Sequence, residues 1–298
     1  MSTLLERLSA GGILISDGAM GSLLQSQGLP AGTSPEAWNL SRPEVVRGVA
    51  EAYLAAGSDM VLTNSFGGSP LKLARHGLAD HTWELNRAAA VLAREAAGGG
   101  KLVAGSVGPT GQILRDEGGD VTPAELYEAF RVQVEALADG GVDAICVETM
   151  SSLAEALEAV RAAREHTSLP ILCTFSFAAG RRGYRTMMGL SPEVAARETA
   201  AAGADVIGTN CGNGIDNMIE IVRQMRTAVP DRPILAQANA GIPELVDGLT
   251  VYAETPEYMS SRVAQLIEAG ATIVGGCCGT TPLHITAIAG AARQHGPA

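Results

Sequence analysis

Three cysteines carry the chemistry that this sequence can do. Cys277 and Cys278 are adjacent in Gly275-Gly276-Cys277-Cys278-Gly279-Thr280, after the apolar run Ala271-Thr272-Ile273-Val274. Cys211 stands in a similar setting, Val206-Ile207-Gly208-Thr209-Asn210-Cys211-Gly212. Three soft thiolates with the fourth tetrahedral position left open make a zinc site that can accept a substrate. Adjacent cysteines on an ordinary strand point to opposite faces, so both reach one metal only where the backbone leaves strand geometry. Gly275, Gly276 and Gly279 are expected to supply that freedom. Two other uses compete. The pair could form a vicinal disulfide or a redox couple. Gly275-Gly276 could be half of a phosphate cradle, but this leaves the thiols without a role, and no glycine-rich loop with a lysine accompanies it. Cys146 and Cys173 lie inside apolar runs and read as core. His76, His81, His166, His284 and His295 show no metal-ligand spacing.

Eight apolar, strand-like runs must position these groups. They start near residues 13, 60, 102, 144, 171, 206, 234 and 272, and a helical stretch follows each. Helix starts are marked by Thr122-Pro123-Ala124-Glu125, Ser191-Pro192, Thr255-Pro256 and Thr281-Pro282, which place a capping hydroxyl before a proline. Ser41 with Glu44 has the spacing of a capping box for a helix running to about Gly57. Strand-helix alternation of this length implies a parallel sheet with buried strands. Eight such units without a break in composition predict an α/β fold, a single (β/α)8 TIM barrel, with residues 1–298 as one domain. A doubly wound open sheet fits less well, because no Gly-x-Gly-x-x-Gly follows the first run.

In a barrel the C-terminal ends of the strands converge on one mouth. The residues at those ends are Asp17, Asn64, Ser106, Glu148, Cys211, Asn239, Cys277 and Cys278. The thiols fall at ends six and eight, with Asn239 at the seventh between them. Asp17 and Glu148 are either rim charges or a carboxylate pair for a substrate ammonium, with the Gly18 and Ala19 amides available to a substrate carboxylate. Asn64 and Asn239 are turn-capping types by residue preference; the position of Asn239 beside the thiols favours a role there.

The chain of 298 residues has a formal net charge of −11 and 46% hydrophobic residues but only 4% aromatics. That balance argues against a nucleic-acid surface and suits an interior of Ala, Val, Ile and Leu. No apolar run is long enough to span a membrane, and residues 1–7 lack the pattern of a secretory leader, so the expected location is cytoplasmic. Five cysteines, two of them adjacent, do not make a secreted disulfide framework.

The sequence resembles the homocysteine S-methyltransferase family along nearly its whole length. The resemblance rests on Ser16-Asp17-Gly18-Ala19-Met20-Gly21, Thr63-Asn64-Ser65-Phe66, Gly105-Ser106-Val107-Gly108-Pro109, Glu148-Thr149, Asn210-Cys211-Gly212, Asn239-Ala240-Gly241 and the Gly275–Thr280 stretch. Asp-Gly-Ala-Met-Gly and Tyr252-Ala253-Glu254-Thr255-Pro256 look most like the homocysteine-binding domain of cobalamin-dependent methionine synthase. The resemblance implies zinc on Cys211, Cys277 and Cys278, with the thiol of homocysteine taking the fourth position and Asn239 standing near the metal in its absence. It implies the amino acid's polar end near Asp17, Gly18, Ala19 and Glu148, and substrate contacts from Asn64 and Ser106. A free thiol has a pKa of about 8.5; zinc lowers it, so the sulfur is bound as thiolate and attacks a methyl group in line. The chain has no Asp-x-His-x-x-Gly corrinoid motif. The donor expected is therefore methylcobalamin carried by a partner corrinoid protein, with S-methylmethionine or S-adenosylmethionine as the alternative. A further alternative is a thiol- and zinc-binding subunit of a larger methyltransferase complex.

Overall fold

The computed structural model describes residues 3–246 and 249–295. Eight parallel strands make one sheet: β1 (Leu14–Ile15), β2 (Met60–Leu62), β3 (Leu102–Val107), β4 (Ala144–Met150), β5 (Ile171–Phe175), β6 (Val206–Asn210), β7 (Ile234–Ala238) and β8 (Ile273–Gly276). Their order around the sheet is β1-β8-β7-β6-β5-β4-β3-β2, which is the (β/α)8 barrel expected from the alternation. The seam between β1 and β2 is closed by single bonds. Asp59 donates its N–H to the Ile15 carbonyl at 2.7 Å, the Asp59 carboxylate accepts the Ile15 N–H at 3.1 Å, and the Asp17 carboxylate accepts the Leu62 N–H at 2.7 Å.

Strand periodicity sorts the core into two parts. Leu102 and Ala104 face the barrel interior with Leu14, Met60, Leu172, Leu235 and Ile273, while Val103 and Val107 face the surrounding helices. Leu4, on the helix Leu4–Ser9, closes the N-terminal end of the barrel from below. Cys146 packs in the interior cluster and Cys173 under the helices, both fully buried, as apolar filler.

Thr122 and Glu125 form their capping box ahead of helix Pro123–Asp139; Ser191 and Thr255 cap Pro192–Ala201 and Pro256–Glu268. The box expected at Ser41 does not form. Residues Trp38–Ser41 already make a helical turn, and the Ser41 hydroxyl donates back to the Ala37 carbonyl at 2.9 Å. The following helix, Pro43–Ala55, begins at Arg42 without a side-chain cap. Two antiparallel hairpins, Ala178–Gly180 with Gly183–Arg185 and Glu244–Val246 with Leu249–Val251, extend the loops after β5 and β7.

Candidate active site

At the C-terminal mouth, β8 ends at Gly276 and the chain enters a tight turn, closed by Thr280 N–H donating to the Cys277 carbonyl at 3.1 Å. Its third residue, Gly279, has φ +78°, which only glycine adopts without strain, and a Cβ there would lie 2.2 Å from the Tyr252 ring. The turn is what swings Cys277 and Cys278 to one side. Gly275 and Gly276, expected to loosen the backbone, are instead ordinary strand residues; they serve close approach. A Cβ on Gly275 would sit 2.8 Å from the Asp17 carbonyl, and one on Gly276 2.4 Å from the Thr280 hydroxyl.

Cys211 follows β6 with φ 60°, one of two non-glycine residues with positive φ among those described, and its N–H donates to the Gln237 carbonyl at 3.1 Å. This places its sulfur 3.7 Å from that of Cys278. The Sγ atoms of Cys211, Cys277 and Cys278 lie within 4.8 Å of one another, each partly exposed. Tetrahedral bonds of about 2.3 Å to one zinc would set sulfurs about 3.8 Å apart, so the donor set suits that ion.

The three thiols cannot all ionise alone. Hydrogen bonds from Cys211 and Cys277 favour the thiolate at Cys278. Cys211 accepts from Cys277, which lowers it, but its donation to Cys278 and its burial push it up to about 11. Cys277, donor to Cys211, is pushed well above the usual thiol range. The cluster thus holds one negative charge readily, and a cation is needed to hold three. The Asn239 Oδ1 is buried without a hydrogen-bond partner, an acceptor left over on the strand end whose neighbours Ala238 and Ala240 bond to Cys277 and Cys278.

One cavity of about 550 Å³ opens at the mouth. Asp17, Gly18, Ala19, Asn64, Ser106, Glu148 and the three cysteines all line it, and Asn239 does not. Burial raises Asp17 to about 8 against the Leu62 N–H, which lowers it, with Glu148 adding to the rise. Burial likewise raises Glu148 to about 7, opposed by the hydroxyl of Ser106, which donates to its Oε1. Two protonatable carboxyls in a closed wall would both gain from a bound ammonium.

Several expected contacts are already engaged. The Ala19 N–H donates to the Thr280 hydroxyl at 3.2 Å. The Asn64 amide donates to the Pro35 carbonyl at 2.8 Å and to Asn39 Oδ1 at 2.9 Å, tying the loop after β1 to the end of β2.

Three supporting residues were not singled out from the sequence. Tyr53 donates to the carbonyls of Ala19 and Thr280, stapling the β1 and β8 loops together. Asn210 links Glu148 to the Cys211 loop. Gln237 lines the cavity with a buried, unpartnered Oε1. Asn210 stands next to Cys211 in the motif, a signal that was there to be read; Tyr53 lies on a helix and gave none.

Comparison with known proteins gives a family match along most of the chain. Residues 14–292 match the model of a family described as homocysteine S-methyltransferase. The chain is 32% identical over 294 residues to the methionine synthase of Mycobacterium tuberculosis (strain ATCC 25618 / H37Rv), covering 94% of this chain and 24% of that protein. The chain therefore spans about a quarter of the length of this curated relative. Among solved structures, the metallated form of the homocysteine methyltransferase MmuM from Escherichia coli superposes with a TM-score of 0.78 at 25% identity, covering 95% of this chain and 98% of that one. Its oxidized form gives 0.77 at 25% identity, over 94% and 96% of the two chains.

Proposed function

The chain belongs to the homocysteine S-methyltransferase family, and from that premise we propose that it transfers a methyl group to the thiol of homocysteine, giving methionine, at a zinc centre on Cys211, Cys277 and Cys278. The observation that carries this reading is the 3.7 Å approach of Cys211 and Cys278 within a three-sulfur cluster at the mouth of the cavity. Bound there, zinc would hold the substrate sulfur as a thiolate at neutral pH. Asn239, with its unpartnered oxygen, is the proposed fourth ligand in the absence of substrate.

The protein's own groups bind and orient. Asp17 and Glu148 take the substrate ammonium, and both are ionised as they do so. Ser106 and Asn210 fix the Glu148 carboxylate from both sides. Gly18 and Ala19 form the wall beside the thiols, and Asn64 shapes the mouth by holding its rim loop. No side chain need act as a base in the methyl transfer itself.

The proposed donor carried over from the resemblance is a methylated corrinoid presented by a partner protein. No described helix is long and apolar enough to cross a membrane. A donor panel tests the function: zinc-loaded protein, homocysteine, and in turn methylcobalamin, S-methylmethionine, S-adenosylmethionine and betaine. Methionine formed from at least one donor supports the reading. A protein that binds zinc and homocysteine but turns over none would be a binding subunit instead.

A further inference from the structure

The two antiparallel hairpins stand on the rim of the mouth, and none of their residues lines the cavity. They flank the first turn of helix Ile215–Ala228, which follows β6. On one side the Tyr184 hydroxyl, from hairpin Ala178–Gly180 with Gly183–Arg185, donates to Asn217 Oδ1 at 3.0 Å. On the other, the Glu254 carboxylate, just past hairpin Glu244–Val246 with Leu249–Val251, accepts the Ile215 N–H at 3.1 Å. Each loop leaves apolar side chains in water. Met187, 86% exposed, and Met188 follow the first hairpin; Ile242, Val251 and Leu245, the last 78% exposed, belong to the second loop. Five such groups on two neighbouring loops mark a contact surface.

The two hairpins carry opposite charge. Arg181 and Arg182 occupy the turn of the first and Glu244 opens the second, all three exposed. Elsewhere arginines such as Arg87, Arg94 and Arg164 are held by carboxylates. The side chains of Arg181, Arg182 and Glu244 have no partner among the described residues. A protein of formal net charge −11 repels its own copies over most of its surface. A rim with an unpaired basic pair near an unpaired acid is an exception. Under a two-fold axis the basic hairpin of one copy meets the acidic hairpin of the other, twice, which is the self-complementarity an isologous dimer needs. A partner of single sign would be attracted by one hairpin and repelled by the other. We infer that these hairpins form the interface of a homodimer, with Met187 and Leu245 in its apolar centre and Arg181 and Arg182 pairing with Glu244 of the second copy. The hairpins follow β5 and β7, on either side of the strand that leads to Cys211, so the seam runs beside the thiol cluster of each copy.

Sedimentation equilibrium of the full chain tests this. Wild-type protein is expected to dimerise with a micromolar or tighter Kd. Leu245→Asp, which puts a charge into the apolar centre, should weaken dimerisation by at least about tenfold. Arg181→Glu with Arg182→Glu in one protein, and Glu244→Arg in another, each set like charges against each other, and each protein alone should be monomeric. An equal mixture of the two restores opposite charges at both contacts and should return the dimer, which misfolded variants could not do. Wild-type protein that stays monomeric would overturn the interface and leave the patch to a different protein. Variants that dimerise as wild type does, or a mixture that stays monomeric, would overturn it as well.

Discussion

Asn210 donates its Nδ2 to Glu148 Oε2 at 3.0 Å, joining the end of β6 to the end of β4. The same amide donates to the Thr149 hydroxyl at 2.7 Å, while its Oδ1 accepts the Thr149 N–H at 2.8 Å and the Thr174 hydroxyl at 2.7 Å. Thr149 and Cys211 are the two described non-glycine residues with positive φ, and Asn210 binds the first and precedes the second. One buried amide therefore holds a strained backbone, the Glu148 carboxylate and the start of the thiol loop in register. Asn210→Ala would take away the Thr149 N–H's 2.8 Å partner and leave it only the Thr174 hydroxyl at 3.4 Å, a cost of about 1 kcal/mol or more. Homocysteine KM should rise while zinc content falls less. Urea unfolding together with zinc analysis checks this; unchanged stability and KM would show that the network is incidental.

Glu148 itself should matter for substrate more than for metal. Glu148→Gln keeps the shape but removes the charge that an ammonium needs. The expected loss of homocysteine affinity is about tenfold or more, with zinc affinity nearly unchanged. Equal losses would place Glu148 in the architecture of the centre instead.

Substrate binding should release protons from two sources. Near pH 7, Asp17 at about 8 is mostly protonated and Glu148 at about 7 is half protonated. A bound ammonium lowers both, so even methionine, which lacks an ionisable thiol, should release protons. Homocysteine should release about one more, because its thiol, with a free pKa of about 8.5, enters as thiolate. Calorimetry in buffers of different ionisation enthalpy reads both numbers. Equal release by the two ligands would argue against direct ligation of the sulfur.

The raised Asp17 also makes stability depend on pH. Its folded-state value of about 8 lies above the ordinary 3.8, so the folded protein holds a proton that the unfolded chain loses. The stability this contributes is complete below about pH 4 and is lost as pH rises to about 8. Asp17→Asn keeps an acceptor for the Leu62 N–H and removes the titration. The variant's Tm relative to wild type should therefore climb between pH 5 and 9, by about 3 °C or more. A constant difference across that range would mean that Asp17 is ionised throughout.

Much of this fold could be read from the chain because the signals are local. Each of Thr122-Pro123, Ser191-Pro192 and Thr255-Pro256 carries a hydroxyl cap and a pre-set φ within two residues, and those helices begin there. Strand positions followed from apolar runs such as Ile234–Ala238, buried on both faces. The Ser41 box failed because a competing carbonyl, that of Ala37, was one turn away, which spacing does not reveal. That Asp17, Asn64, Ser106, Glu148 and the three cysteines gather around one cavity was legible because a barrel brings its strand ends together. Tyr53 acts across long sequence separations, through hydrogen bonds to the carbonyls of Ala19 and Thr280, for which a sequence has no period. The glycines were legible as special but for the wrong reason: Gly275 and Gly276 admit neighbouring groups, and Gly279 alone supplies the turn.

The claim on which everything else depends is that three cysteine sulfurs hold zinc and leave one position for the substrate sulfur. X-ray absorption at the zinc edge, on protein with and without homocysteine, tests it directly. The account predicts three sulfur ligands and one lighter atom in the free protein, becoming four sulfurs when homocysteine binds, with the zinc lost in Cys278→Ala. A sulfur count that stays the same on adding homocysteine, or zinc fully retained by Cys278→Ala, would contradict it.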